Sequence, residues 1–150
     1  MMRWLGHLDT LAACADFARL THRDPWKGTP DCQVMTFEQE PHKTLLLRCQ
    51  KNASHDNFLD DLPMQDTTEY EKLKGLRTLV ARARKVIFAD PGLSAALDAT
   101  APVGRVVISV LAPKSVMRWH IDLGDYAKKH VRFHVALQTN PVAHLYCGPQ

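Results

Sequence analysis

At Gly104 the chain changes character. Residues 105–111 are β-branched and apolar almost without interruption, the composition of a strand buried inside a sheet. Three more stretches of strand character follow, at 115–121, 131–137 and 142–147. They are set apart by Ala112-Pro113-Lys114, by a polar loop over 123–129 and by Thr139-Asn140-Pro141. A meander of antiparallel strands is therefore expected over 104–150, with a different organisation ahead of it.

Ahead of Gly104 the pattern is mixed. Leu8, Leu11, Ala12, Ala15 and Ala18 recur at spacings of three and four, which predicts a first amphipathic helix over 8–20. Asp24-Pro25, Gly28 and Thr29-Pro30-Asp31 make 22–31 a loop, 34–37 and 43–49 read as two short strands around Pro41, and 51–66 reads as a long polar loop. From Thr67 the period changes again. Thr68 is placed to cap, Glu69 and Glu71 fall in the first turn, and Tyr70, Leu73, Leu76, Val80, Ala83 and Ile87 line up as one apolar stripe, predicting a helix from Thr67 to about Phe88. Its other face carries Lys72, Lys74, Arg77, Arg82, Arg84 and Lys85, read as an ordinary solvated surface. Pro91-Gly92 ends it, and 93–99 adds a short helical turn.

The 150 residues are enough for one domain with one core, and 45% apolar with 23% charged residues is an ordinary globular balance. A net charge of +3 gives no nucleic-acid footprint, so no nucleic-acid partner is expected. No apolar run is long enough to cross a bilayer, and Asp9 interrupts the N-terminal stretch before a signal-peptide core can form, which points to a cytoplasmic protein. Cys14, Cys32, Cys49 and Cys147 show no C-x-x-C spacing and read as reduced thiols.

Two pairs could carry chemistry. His120 and Asp122 stand two apart in a strand-like stretch, so their side chains share one face, the spacing a chelate needs. The plain alternative is a surface or hydrogen-bonded pair. Arg132 and His134 also alternate, and the planar guanidinium fork suits a carboxylate, which implies an anion site beside a metal site. The alternative here is that Arg132 bridges to Asp122 or Asp125 while His134 is a core histidine.

Taken in order, 107–113 (VISVLAP), Trp119-His120-Ile121-Asp122 and 132–141 (RFHVALQTNP) combine S-x-x-x-P, H-x-D and R-x-H-x-x-L-x-T-N-P. This pattern resembles the aspartyl/asparaginyl β-hydroxylase family of Fe(II)- and 2-oxoglutarate-dependent dioxygenases, which also includes free-proline hydroxylases. The resemblance is concentrated in 104–150 and faint before it. It implies a mainly β fold with flanking helices, a double-stranded β-helix (jelly roll, cupin-like), in a single domain over 1–150. Residues 1–103 would be its mixed N-terminal part and 104–150 the first strands of the roll. It implies His120 and Asp122 as metal ligands, with Ser109, Arg132 and His134 as 2-oxoglutarate contacts. Arg132 and His134 would meet the carboxylate beside the keto group and Ser109 the distal one. Some family members lack a carboxylate at the position of Asp122.

The implied cofactors are Fe(II) and 2-oxoglutarate, and the implied partners are O₂ and a small-molecule or peptide substrate. The implied reaction is hydroxylation of an unactivated C–H in an amino acid, a peptidyl Asp or Asn, or a related compound. The family closes its metal site with a second His and then an Arg, and none of His7, His22, His42, His55, His130 and His144 sits in a matching motif. A jelly roll needs about eight strands. The chain is therefore expected to be a C-terminally truncated member, and a degenerate jelly-roll module that binds a partner or a metal without turnover is the alternative.

Overall fold

The computed structural model describes residues 4–21, 34–36, 42–50, 63–115 and 130–145. They form a mixed α/β fold in the order α1 (Leu11–Thr21), β1 (Val34–Thr36), β2 (His42–Gln50), β3 (Met64–Asp66), α2 (Thr68–Lys72), α3 (Lys74–Ala89), α4 (Pro91–Ala96) and β4 (Val106–Leu111). The chain divides into two compact units. One comprises Met1–Ala18, Leu73–Ala101 and His134–Gln150, and the other Arg19–Lys72 and Pro102–Phe133.

The second unit is built on β2. Residues 43–45 pair with β1, residues 48–50 with β3, and β4 runs along 42–48, all antiparallel. A strand has two edges, so β1 and β3 lie end to end along one and β4 takes the other. The ladder slips between Leu46 and Arg48, where β4 steps from Val107 to Val106. Leu45, Leu46 and Leu47 are all at most 2% exposed, and because successive side chains alternate, β2 is covered on both faces. Ile108, directly opposite Leu45, completes this core. Arg48 bonds to Asp66 opposite it on β3 and to the Val103 carbonyl at 3.0 Å, which holds the start of β4 to β2.

The buried Thr67 joins strand to helix. Its N–H and its hydroxyl both donate to the Leu47 carbonyl at 2.9 Å, and its oxygen accepts from the Tyr70 N–H at 3.2 Å. That is an N-cap on α2, one residue earlier than the Thr68 cap that composition suggests. β3 falls at the end of the stretch expected to be loop over 51–66.

The first unit centres on α1 and α3. α1 forms as its period demands, but Leu11, Ala12, Ala15 and Ala18 are exposed, and the buried positions within this unit are Ala13 and Asp16. The reason lies on α3. The continuous helix expected from Thr67 is interrupted at Leu73 (φ −91°, ψ 72°), so α3 starts afresh with no side-chain cap from its own N-cap residue. The Asp16 carboxylate, 1% exposed, supplies one from α1 by accepting the Leu76 N–H at 3.0 Å. The helices meet closely at this point: a Cβ on Gly75 would stand 2.3 Å from the Ala12 carbonyl oxygen. An acidic residue thus occupies the packed face of α1, and a stripe of apolar residues alone misplaces that face.

On α3, Leu76, Leu79 and Ile87 are buried with Leu73 just ahead of them, and Val80 and Ala83 are half-buried, so the expected stripe faces inward. Lys74, Arg77, Arg82 and Lys85 are exposed as expected of a solvated face. Arg82 pairs with Asp9 at 3.3 Å, and Arg84 turns back onto the Ala99 carbonyl at 2.6 Å and the Phe88 ring. Asp90 closes α3 and opens α4: its N–H donates to the Ile87 carbonyl and its carboxylate accepts from Gly92 and Leu93, with Pro91 at the first helical position.

Three expectations for the C-terminal part are corrected. β4 is not buried on both faces: Ile108 is buried, whereas Val107, Ser109 and Leu111 on the other face are exposed, and among the described residues β4 pairs with β2 alone. Residues 131–137 are irregular rather than a strand: their alternation satisfies one face of a sheet, but no described strand offers them an edge. The same holds for 142–145. The expected strand over 116–121 and the loops over 22–31 and 51–62 lie outside the described residues.

Candidate functional site

Ser109 is placed by β4. The register sets it directly opposite Thr44 on β2, and the two hydroxyl oxygens are 3.1 Å apart. Residues opposite each other in an antiparallel pair share a face. On that face Thr44 is 6% exposed, whereas Ser109 opens to solvent. β4 ends two residues beyond Ser109 in the turn Ala112-Pro113-Lys114-Ser115, closed by the Ser115 N–H on the Ala112 carbonyl at 3.1 Å, with Lys114 at φ 63°. Pro113 at the second position and a positive φ at the third are the marks of a type II turn. In S-x-x-x-P, then, the Ser supplies a hydroxyl from a strand and the Pro stops that strand.

Arg132 is exposed on the irregular stretch of the sheet unit, and His134 is exposed in the helical unit. The segment carrying His134 is fixed from two sides. Cys14 Sγ on α1 donates to the Leu137 carbonyl at 3.2 Å, and Asn140 turns the chain by accepting the Val142 N–H on its side chain and the Ala143 N–H on its carbonyl, both at 3.0 Å. Thr139-Asn140-Pro141 is accordingly a turn, as expected, with Pro141 at its second position.

Of the five expected site residues, Ser109 is tied to a neighbour that sequence reasoning missed, Thr44. Only the register between two strands more than sixty residues apart reveals it. His120 and Asp122, the expected metal pair, lie outside the described residues, and among the described residues no group of three His, Cys, Asp or Glu side chains is gathered to hold an ion. Among the described residues Cys14 and Cys49 form no disulfide, and Cys32 and Cys147 lie outside the described residues. No helix among the described residues is long and apolar enough to cross a membrane.

Charge in the helical unit is tuned by hydrogen bonds. The Asp9 carboxyl is held below its usual range by the Leu11 N–H and then by Arg82, and that of Asp98 by the Thr100 hydroxyl and then the Thr100 N–H.

Comparison with known protein families, with curated proteins and with solved structures returns no match.

Proposed function

We propose that the chain is an Fe(II)- and 2-oxoglutarate-dependent dioxygenase that hydroxylates an unactivated C–H of an amino acid, a peptidyl Asp or Asn, or a related substrate in the cytoplasm. The observation that carries this reading is the fixed order of Ser109 with Pro113, His120 with Asp122, and Arg132 with His134 ahead of Thr139-Asn140-Pro141. The small antiparallel sheet would form part of a double-stranded β-helix.

The donor chemistry fits. An imidazole and a carboxylate two residues apart suit divalent iron, and a guanidinium fork with a neighbouring imidazole suits the carboxylate beside a keto group. His120 and Asp122 would hold the iron, which when bound supplies the oxidising power with O₂. The chain's own part is orientation. Arg132 and His134 would fix one end of the keto acid and Ser109 the other, and both Arg132 and Ser109 are solvent-exposed.

A second reading, a degenerate module that binds a metal or a partner without turnover, is favoured by one observation: 131–137, which should line a roll, is irregular and largely exposed.

Isothermal titration separates them. Mn(II) should bind weakly to the wild type, more tightly with 2-oxoglutarate present, and not at all to His120→Ala. Arg132→Ala should lose the enhancement and keep the weak binding. Succinate release with Fe(II) supplied then reports turnover. Equal Mn(II) binding by wild type and His120→Ala would remove the dioxygenase reading, and binding without succinate would leave the degenerate module.

A further inference from the structure

Thr44 lies on the central strand and Ser109 on its neighbour, and their hydroxyls are within hydrogen-bond distance at 3.1 Å. Distance alone allows either to be the donor, but burial assigns the direction. Thr44 is 6% exposed, and among the described residues its hydroxyl has no other hydrogen-bond partner. A buried hydroxyl proton without an acceptor is costly, so Thr44 donates and the Ser109 oxygen accepts. A serine hydroxyl has one proton and two lone pairs. With a lone pair committed to Thr44, the Ser109 proton is left pointing away, on an exposed residue. Thr44 is also stiff at χ1, being β-branched, and is followed along β2 by the buried Leu45, Leu46 and Leu47.

We propose that Thr44 is a positioning residue for carboxylate recognition: by donating to Ser109 it fixes the serine hydroxyl as a donor aimed at the distal carboxylate of 2-oxoglutarate. The identity of the ligand rests on the dioxygenase reading. The pairing of the hydroxyls rests on the sheet.

The test is calorimetric titration of 2-oxoglutarate into the full chain in the presence of Mn(II), for wild type, Thr44→Val, Thr44→Ser, Ser109→Ala and Arg132→Ala, with a urea melt of each. Thr44→Val keeps shape and β-branching and removes the donor. The expected result is about three- to tenfold weaker 2-oxoglutarate binding by Thr44→Val, the size of one lost hydrogen bond, no weaker than the loss in Ser109→Ala, with Mn(II) binding unchanged and near-wild-type affinity restored in Thr44→Ser. If Ser109→Ala and Arg132→Ala weaken binding while Thr44→Val does not, the inference is overturned and the dioxygenase reading stands. If Thr44→Ser fails to restore affinity, or affinity falls only in step with the urea midpoint, Thr44 is a packing residue and the inference is overturned. If the wild type binds no 2-oxoglutarate with Mn(II) present, the reading falls and takes the inference with it.

Discussion

Residues 74–89 and 131–137 both repeat apolar side chains with a regular period, and the molecule treats them in opposite ways. In α3, Leu76 and Leu79 are 5% exposed and Ile87 8%, whereas Val131 is 53% exposed and Phe133 and Val135 are each 37% exposed. The difference lies in the backbone. A helix closes its hydrogen bonds within itself, so α3 needs from the rest of its unit only a surface to cover its stripe and a cap for its first turn. A strand leaves every N–H and C=O open until an edge in the right register arrives, and no described strand supplies one to 131–137. Burial follows hydrogen bonding here, and an apolar pattern alone does not secure it.

The sharpest way to break this contrast is at the meeting of α1 and α3. In an open helix, Gly→Ala stabilises by about 1 kcal/mol. At Gly75 the added Cβ would meet backbone atoms of Ala12 and Ala13, which cannot swing aside as a side chain can. Gly75→Ala should therefore reverse the usual sign and destabilise by about 2 to 3 kcal/mol in a urea melt. A neutral or stabilising result would mean that α3 is not held against α1. Next in size is Asp16→Ala, which leaves the Leu76 N–H without its buried acceptor and should cost about 2 kcal/mol. Asp16→Asn keeps an acceptor but loses the charge at the helix N-terminus, and should recover part of that loss.

These two positions also show how far the sequence could be read. The apolar stripe of α3 was legible because its period is local. The break at Leu73 was not: the helix that restarts after it is capped from α1 by Asp16, and a carboxylate on a packed face runs against the periodicity used to find that face. β2 and β4 were legible as strands, and both proline turns were visible from Pro113 and Pro141. The place of β4 at the side of β2 was not, since a β-branched run looks the same at a centre or an edge. At the candidate site, Ser109 was marked by a motif, while Thr44 became visible only once long-range register placed it opposite.

On the other side of the contrast the expected effect is small. Phe133→Ser removes an aromatic ring from a position already 37% exposed and outside any strand. The urea midpoint should correspond to a change of about 0.5 kcal/mol or less. A loss near 3 kcal/mol, typical of a buried Phe, would show that 131–137 is packed in solution, and would strengthen the roll architecture.

The smallest handle is electrostatic and lies on the helical side, at the start of α1. The Leu11 N–H and then Arg82 hold the Asp9 carboxyl below its usual value, which means the folded state favours the charged form. The stabilisation is present above the ordinary carboxylate pKa and disappears as pH falls through the lower folded value. Both Asp9 and Arg82 are exposed, at 69% and 51% of their side chains, so water and salt screen the pair and the effect on overall stability should be slight. Carboxyl-carbon NMR resolves it where a melt would not. In Arg82→Gln the Asp9 midpoint should move up toward the ordinary value but stop short of it, because the Leu11 N–H, the larger influence, remains. Complete return to the ordinary value would assign the whole effect to Arg82 and make α3, rather than the local turn, the anchor of the α1 N-terminus.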